Sequence, residues 1–266
     1  MLLDVNHLSI EFHDQSQSVL AVRDVSFQME QGEILGIVGE SGSGKSQTAL
    51  AIAGLLSRHD IEKSGQILFQ GQNLLQCPRH ILRAMQGDDI GFVFQEPMTA
   101  LNPVKKIGWQ VEESLRIHRD YSKEERKALA LSMLEQVELS DPEKVYGQYP
   151  HELSGGMRQR VCIAAAMICD PKLLIADEPT TALDVTIQAQ IVKLLQRLNK
   201  EKEISILFIS HDLSLVQKLC RRVLVMQNGQ LVEQGDTKEI FRHPSMPYTR
   251  RLIAAIPTFE KRSECL

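Results

Sequence analysis

Residues 32–56 read "GEILGIVGESGSGKSQTALAIAGLL". The apolar run Gly32–Gly39 is too short for a buried helix and ends in glycine, so it reads as a buried strand. "KSQTALAIAGLL", from Lys45 to Leu56, reads as a helix. Strand, glycine-rich loop and helix in this order open a parallel α/β fold.

The loop "GESGSGKS", Gly39–Ser46, matches G-x-x-x-x-G-K-[ST] and sits in the strand–helix context that the motif needs. Its glycines let backbone N–H groups wrap phosphate, and the helix N-terminus adds positive potential. Lys45 is placed to reach β- and γ-phosphates and Ser46 to bind Mg²⁺. A plain glycine-rich turn before a helix is the competing reading.

Further apolar runs end in polar residues. "LLIADEP" is a buried strand ending in Asp177 and Glu178. Neighbouring strand positions point oppositely, so the two acids take different work. Asp177 suits a Mg²⁺ shell, whereas Glu178 suits a general base or water-positioner. "ISILFIS" leads to His211, placed to touch a γ-phosphate and the attacking water. A satisfied surface histidine is the alternative, and Asp212 can cap the next helix. "GFVFQEP" supplies Gln95, whose amide can bridge Mg²⁺ and water. Strand tips at one edge of a parallel sheet are where ligands bind.

The bulk numbers exclude several classes. At 266 residues, 43% hydrophobic and 24% charged, the chain can bury a sizeable core without staples. A net charge of −4 gives no support to nucleic-acid binding. The five cysteines are scattered, so neither a disulfide framework nor a zinc site is expected. Cys162 and Cys169 read as small buried hydrophobes in "VCIAAAMIC". The N-terminus lacks a basic leader and reads as no signal peptide. No run approaches the roughly 20 apolar residues needed to span a bilayer.

Around this core, "LLDVNHLSIEF" and "AVRDVSFQM" alternate with period two and predict antiparallel strands, and "GQILFQGQNL" a further strand with a turn. Residues 97–159 change texture to helical and read as a subdomain inserted in one domain spanning 1–266. In it Ser122 and Glu125 form a capping box, with Leu129, Met133, Leu134 and Val137 at helical spacing. "VTIQAQIVKLLQRLNK" is amphipathic, and Asn228-Gly229 predicts a hairpin with a type I′ turn. Residues 236–266 form a tail with three prolines. "HELSGGMRQR", 151–160, is a second candidate anion site: Ser154, Gly155 and Gly156 precede a basic helix.

"GESGSGKS", Gln95, "LSGGM", "LLIADEPTTALD" and His211, in that order, resemble the ATP-binding-cassette ATPases over essentially the whole chain. The resemblance implies a P-loop NTPase with a RecA-like core, an antiparallel β subdomain and an inserted helical subdomain. It implies ATP and Mg²⁺, with Gly39, Glu40, Ser41, Gly42, Ser43, Gly44, Lys45, Ser46 and Gln47 around the nucleotide. Phe12 would stack on adenine, and Ser46, Gln95 and Asp177 would hold Mg²⁺. Glu178, His211 and Gln95 would serve catalysis. It also explains the second anion site: two such domains meet head to tail, so Leu153, Ser154, Gly155, Gly156 and Met157 would face a partner's ATP, with Asp184 contacting the facing protomer. Met157 stands where the family usually has Gln, and Gln47 where Thr is common.

The tail "HPSMPYTRRLIAAIP", with "EPMTALNP" and "ALDVTIQAQI", resembles the ATPases of peptide and nickel importers. That implies a heterodimer with a paralogous ATPase, two membrane permease subunits, an external solute-binding protein and a place on the cytoplasmic membrane face. The helical insert would dock a cytoplasmic helix of the permease. Cys265 alone cannot build the iron–sulfur cluster seen in longer peptide-importer tails, which leans the reading toward nickel or a metal chelate. The rival readings are a soluble cassette ATPase in DNA repair or translation, which would carry a long coiled-coil insertion or two cassettes in one chain, and a non-cassette P-loop enzyme such as a small-molecule kinase.

Overall fold

The computed structural model describes residues 1–13, 18–56, 60–181 and 183–256. Ala182 of "TTALD", Pro257 of the tail and Cys265 lie outside the described residues.

Two sheets share the work. The first is antiparallel: β1 (Leu3–His13), β2 (Ser18–Met29), β4 (Ile61–Phe69) and β5 (Gln72–Asn73), in the order β2-β1-β4-β5. The second holds β3 (Ile34–Val38), β6 (Ile90–Val93), β7 (Leu173–Asp177), β8 (Ser205–Ile209), β9 (Arg222–Gln227) and β10 (Gln230–Asp236), in the order β10-β9-β3-β8-β7-β6. All its pairs are parallel except β9 with β10. Asn228 and Gly229 turn that last hairpin at φ 50° and 81°, as a type I′ turn requires.

The central strands are apolar throughout because both faces are covered. Leu174, Ala176, Ile206 and Phe208 enter one core, while Leu173, Ile175, Leu207 and Ile209 enter the other, under the antiparallel sheet. This alternation fixes register: Asp177 pairs with Ile209 and Ala176 with Val93. The residues that follow β3, β6, β7 and β8 therefore emerge at one edge.

Helix α1 (Lys45–Ile52) follows the phosphate loop and stops four residues short of the expected Leu56. Gly54 takes φ 68°, a left-handed turn that ends the helix, and Leu82 of α2 (Arg79–Met85) packs where a side chain would stand.

The insert is helical: α3 (Pro97–Ala100), α4 (Ile107–Val111), α5 (Glu113–His118), α6 (Lys123–Gln136), α7 (Pro142–Gly147), a 3₁₀ turn Pro150–Glu152, and α8 (Gly155–Met167), which runs past residue 159. The capping box forms at α6: Glu125 N–H donates to Ser122 Oγ at 3.2 Å and Ser122 N–H to Glu125 at 2.7 Å. Met133, Leu134 and Val137 are buried as expected, but Leu129 is 41% exposed. The packed stripe is centred on Ala130, whose small side chain lets α6 approach its neighbours and leaves Leu129 on the flank.

α9 (Val185–Lys202) buries Ile191, Leu194, Leu195 and Leu198 along one face. α10 (Leu213–Leu219), α11 (Thr237–Arg242) and α12 (Pro247–Ala254) complete the described chain. Cys162 and Cys169 are buried and free, as is Cys220.

Candidate active site

The phosphate loop is held by close backbone approach. A Cβ on Gly39 would sit 2.2 Å from the Met226 carbonyl oxygen, and one on Gly44, the N-cap of α1 at φ 98°, 2.6 Å from that of Ala21. Only glycine fits either place. Lys45 curls back over the loop, and its Nζ donates to the carbonyls of Gly39 at 2.9 Å and Glu40 at 2.8 Å. Burial lowers the Lys45 pKa, against the pull of the Glu178, Asp177 and Glu40 carboxylates. A cleft of about 310 Å³ opens here, lined by Phe12, Ala21, the loop from Ser41 to Gln47, Gln95 and Glu178.

Ser46 Oγ donates to Asp177 Oδ1 at 3.0 Å. Burial raises the Asp177 pKa, and the Ser46 hydrogen bond opposes it. A hydroxyl and a carboxylate this close are hard oxygen donors of the kind Mg²⁺ takes. Beside them Gln47 keeps a buried side-chain oxygen without a hydrogen-bond partner among the described residues. The residues present thus fit a nucleotide-bound Mg²⁺.

Glu178 is the hub of the strand edge. It takes φ 47°, left-handed and unusual for a side chain this large, while its N–H donates to Ile209 O at 3.0 Å. The turn sends Asp177 toward Ser46 and Glu178 toward the ends of β6 and β8. Glu178 Oε2 then meets Gln95 Nε2 at 2.9 Å, Thr181 Oγ1 at 3.0 Å and His211 Nδ1 at 3.0 Å. All three contacts fall on Oε2 and Glu178 also lines the cleft, which leaves Oε1 to take a water. Thr181 is a member of this cluster that sequence reasoning missed: "TTALD" was legible, but only Asp184 stood out in it.

The second anion motif lies outside this chain's own cleft. Ser154 caps α8, accepting the Met157 N–H at 3.3 Å. An added Cβ on Gly156 would come within 2.8 Å of Ile187, so this glycine lets α8 start against the beginning of α9, whereas one on Gly155 would make only ordinary contact with Leu183 at 3.4 Å. Asp184 caps α9, accepting the Ile187 N–H at 2.9 Å. Leu153 is buried and anchors the turn, and Met157 packs on the core. Ser154 stays exposed at the helix mouth. None of Leu153, Ser154, Gly155, Gly156, Met157 and Asp184 lines the cleft that holds Lys45. Asp212 caps α10, as its sequence suggested.

One further contact reaches the loop from the tail. The Glu40 N–H donates to the Tyr248 hydroxyl of α12 at 3.0 Å. No sequence signal marked Tyr248.

The profile of the ABC transporter family matches residues 22–181, and the oligopeptide/dipeptide transporter C-terminal region matches residues 232–266. The chain is 49% identical to a dipeptide transport ATP-binding protein of Haemophilus influenzae, covering 97% of this chain and 78% of that one. It is 50% identical to an oligopeptide transport ATP-binding protein of Bacillus subtilis, covering 99% and 74%. Among solved structures, the dimeric post-hydrolysis ATP-binding cassette MJ0796 bound to ADP and Pi superposes with a TM-score of 0.80 at 28% identity, over 89% of this chain and 99% of that one. The Haemophilus influenzae and Bacillus subtilis relatives are named for peptide transport, not nickel, so the lean toward nickel is set aside. The DNA-repair reading loses its support in the same way.

Proposed function

The chain belongs to the ABC transporter family, is an ATP-hydrolysing importer subunit, and from that premise we propose that it powers the uptake of di- or oligopeptides. The match of residues 232–266 to the peptide-transporter C-terminal region carries this choice of solute.

Hydrolysis follows from the strand edge. A water facing Glu178 Oε1 attacks the γ-phosphorus of ATP. The P–O bond to ADP breaks, and the water's proton passes to the carboxylate. Gln95, Thr181 and His211 hold Oε2, fixing the plane of the base and the place of the water. Lys45, held by the Gly39 and Glu40 carbonyls, turns its third ammonium N–H to the β- and γ-phosphates and offsets their charge. Ser46, Asp177 and Gln95 would hold Mg²⁺, which when bound neutralises phosphate charge. Phe12, at the mouth of the cleft, offers its ring to adenine.

The exposed mouth of α8 needs a phosphate that this chain's own loop does not bring. A head-to-tail dimer supplies it: Ser154, Gly155 and Gly156 of one protomer close on ATP held by the other, and Asp184 lies beside that contact. Binding then favours the closed dimer and hydrolysis releases it. The partner is a paralogous ATPase.

Attachment in this reading is peripheral, to two permease subunits at the cytoplasmic face; no helix among the described residues is long and apolar enough to cross a membrane. Between the core and the insert runs a groove of about 280 Å³, lined in part by Leu55, Phe92, Phe94 and Leu101. Of these, Leu55 and Phe94 are exposed, an apolar seat for a short permease helix. The external binding protein selects the solute.

Pull-down of the chain from its native membrane, with mass spectrometry of what accompanies it, tests the reading. Two permease subunits and a second cassette ATPase are expected, with a binding protein that takes peptides in titration. Recovery of the chain alone, or a binding protein that takes Ni²⁺ and no peptide, overturns it.

A further inference from the structure

Tyr248 stands on α12, in the tail that follows the two sheets, and is only 4% exposed. A buried tyrosine hydroxyl needs a hydrogen-bond partner. This one has the backbone N–H of Glu40, the second residue of the phosphate loop, at 3.0 Å across 208 positions of sequence. The carbonyl of the same Glu40 accepts from Lys45 Nζ at 2.8 Å. One peptide residue therefore joins the tail to the lysine that meets the phosphates. On its other side the loop's first residue, Gly39, is pressed against Met226 at the end of β9. The loop base is gripped from both directions.

The segment that brings Tyr248 there is itself fastened. Glu233 of β10 accepts the N–H groups of Ser245 at 2.7 Å and Met246 at 3.3 Å. Arg250 donates from Nε to Pro244 O at 2.9 Å and from an Nη to Ser245 O at 3.2 Å, bracing the turn from within. Pro247 starts α12 with its φ already set for a helix. The Arg251 guanidinium lies 6.0 Å from the centre of the Tyr248 ring. A helix that merely covered the sheet would need none of these polar ties to reach the loop.

We propose that Tyr248 is a positioning residue of the ATP site, through which the C-terminal segment holds the phosphate loop in its binding form. Glu40 N–H lies at the start of the loop, before the turn of amides at Gly42–Ser46 that opens on the cleft, so the hydroxyl takes an amide without competing with phosphate. Losing it leaves that N–H unpaired and frees the residue whose carbonyl anchors Lys45. By linkage the effect runs both ways: nucleotide, by ordering the loop, must also steady the tail by the same factor. Whatever engages the tail then adjusts ATP affinity. The proposal rests on the cleft being the ATP site.

Hydrogen exchange of residues 245–254 in the full chain, with and without Mg-ATP, is the test, run beside titration of a fluorescent ATP analogue. Wild type should bind the analogue and exchange more slowly in the tail when it does. Tyr248→Phe, which keeps the ring, should bind the analogue about 2- to 10-fold more weakly, as expected for one hydrogen bond. It should raise KM for ATP with kcat nearly unchanged, and lose the nucleotide-dependent protection. An unchanged dissociation constant in Tyr248→Phe overturns the proposal. So does a wild-type tail whose exchange ignores bound nucleotide, which decides the matter even if the variant fails to fold. Lys45→Ala marks the baseline without nucleotide. A wild type that behaves like Lys45→Ala would sink the ATP-site reading itself, an outcome distinct from normal binding with an indifferent tail.

Discussion

Gln95 Nε2 donates to Glu178 Oε2 across 2.9 Å, linking the residue that opens the helical insert to the acid at the tip of β7. His211 reaches the same oxygen from β8 at 3.0 Å. The carboxylate is thus a meeting point of three strand ends. With a permease helix in the proposed groove, Gln95 would offer a short physical route from the insert to the base.

Glu178→Gln follows as the first test. The amide keeps the size of the acid and some of its hydrogen bonds but cannot take a proton. ATP affinity should hold, while phosphate release slows by roughly 10²-fold or more. Steady-state release and nucleotide titration on the same preparation separate the two. Ordinary turnover in the variant removes Glu178 from the role of base.

Much of this site could be read from the sequence because its parts are local. "GESGSGKS" and "LLIADEP" each declare a strand end and the residue that follows it, and the parallel sheet does the rest. What escaped the sequence depends on distance or on backbone conformation. The left-handed φ of Glu178, which sends its carboxylate away from that of Asp177, has no residue-type signal. Thr181 joins the cluster only because that turn exists. Tyr248 contacts a residue 208 positions earlier, beyond any periodicity. Leu129 fits a helical apolar stripe, yet the packing centres on Ala130, one position round the helix. The end of α1 was misplaced because Gly54 sits inside an otherwise helical apolar run.

Phe12 lines the mouth of the cleft from β1, half-buried. If its ring stacks on adenine, Phe12→Ala should weaken ATP binding by about 1–3 kcal/mol, the range for a base on an aromatic side chain. Phe12→Tyr should restore it. Because every base has a face to stack, GTP should lose affinity to a similar extent. Calorimetry of both nucleotides against the three proteins measures this, and equal affinities throughout would place the base elsewhere.

Cys162 offers a prediction in pH. Burial in α8 pushes its thiol up to about 12. A thiol in the unfolded chain ionises near pH 8.5, so above that pH the unfolded state has released a proton that the fold retains. The contribution of this group to stability is complete below the unfolded pKa and is lost as pH rises toward the folded one. The slope is up to about 1.4 kcal/mol per pH unit for one such thiol. Cys162→Ala should therefore flatten the alkaline fall in stability, measured by denaturant unfolding at a series of pH values between about 8.5 and 11. Parallel curves for the two proteins would mean that Cys162 ionises in the fold as readily as outside it.

Ser154 has one observed job and one proposed job, and one substitution can separate them. Its Oγ caps α8 by accepting the Met157 N–H, and its exposed position at the helix mouth suits the γ-phosphate of a partner's ATP. Alanine would lose the cap and, with it, about 1 kcal/mol, which confuses the two. Aspartate keeps the cap, since a carboxylate at an N-cap accepts the same N–H and is favoured by the helix dipole. It also sets a negative charge where a triphosphate must approach. Ser154→Asp should therefore leave the melting temperature and the chain's own ATP affinity nearly unchanged. In the assembled transporter, hydrolysis at the facing site should drop by about 10-fold or more, the effect of only about 1.4 kcal/mol of like-charge repulsion. Loss of ATP affinity in the isolated chain would mean that α8 serves this chain's own cleft. Undiminished hydrolysis in the assembly would mean that no phosphate comes to Ser154 at all.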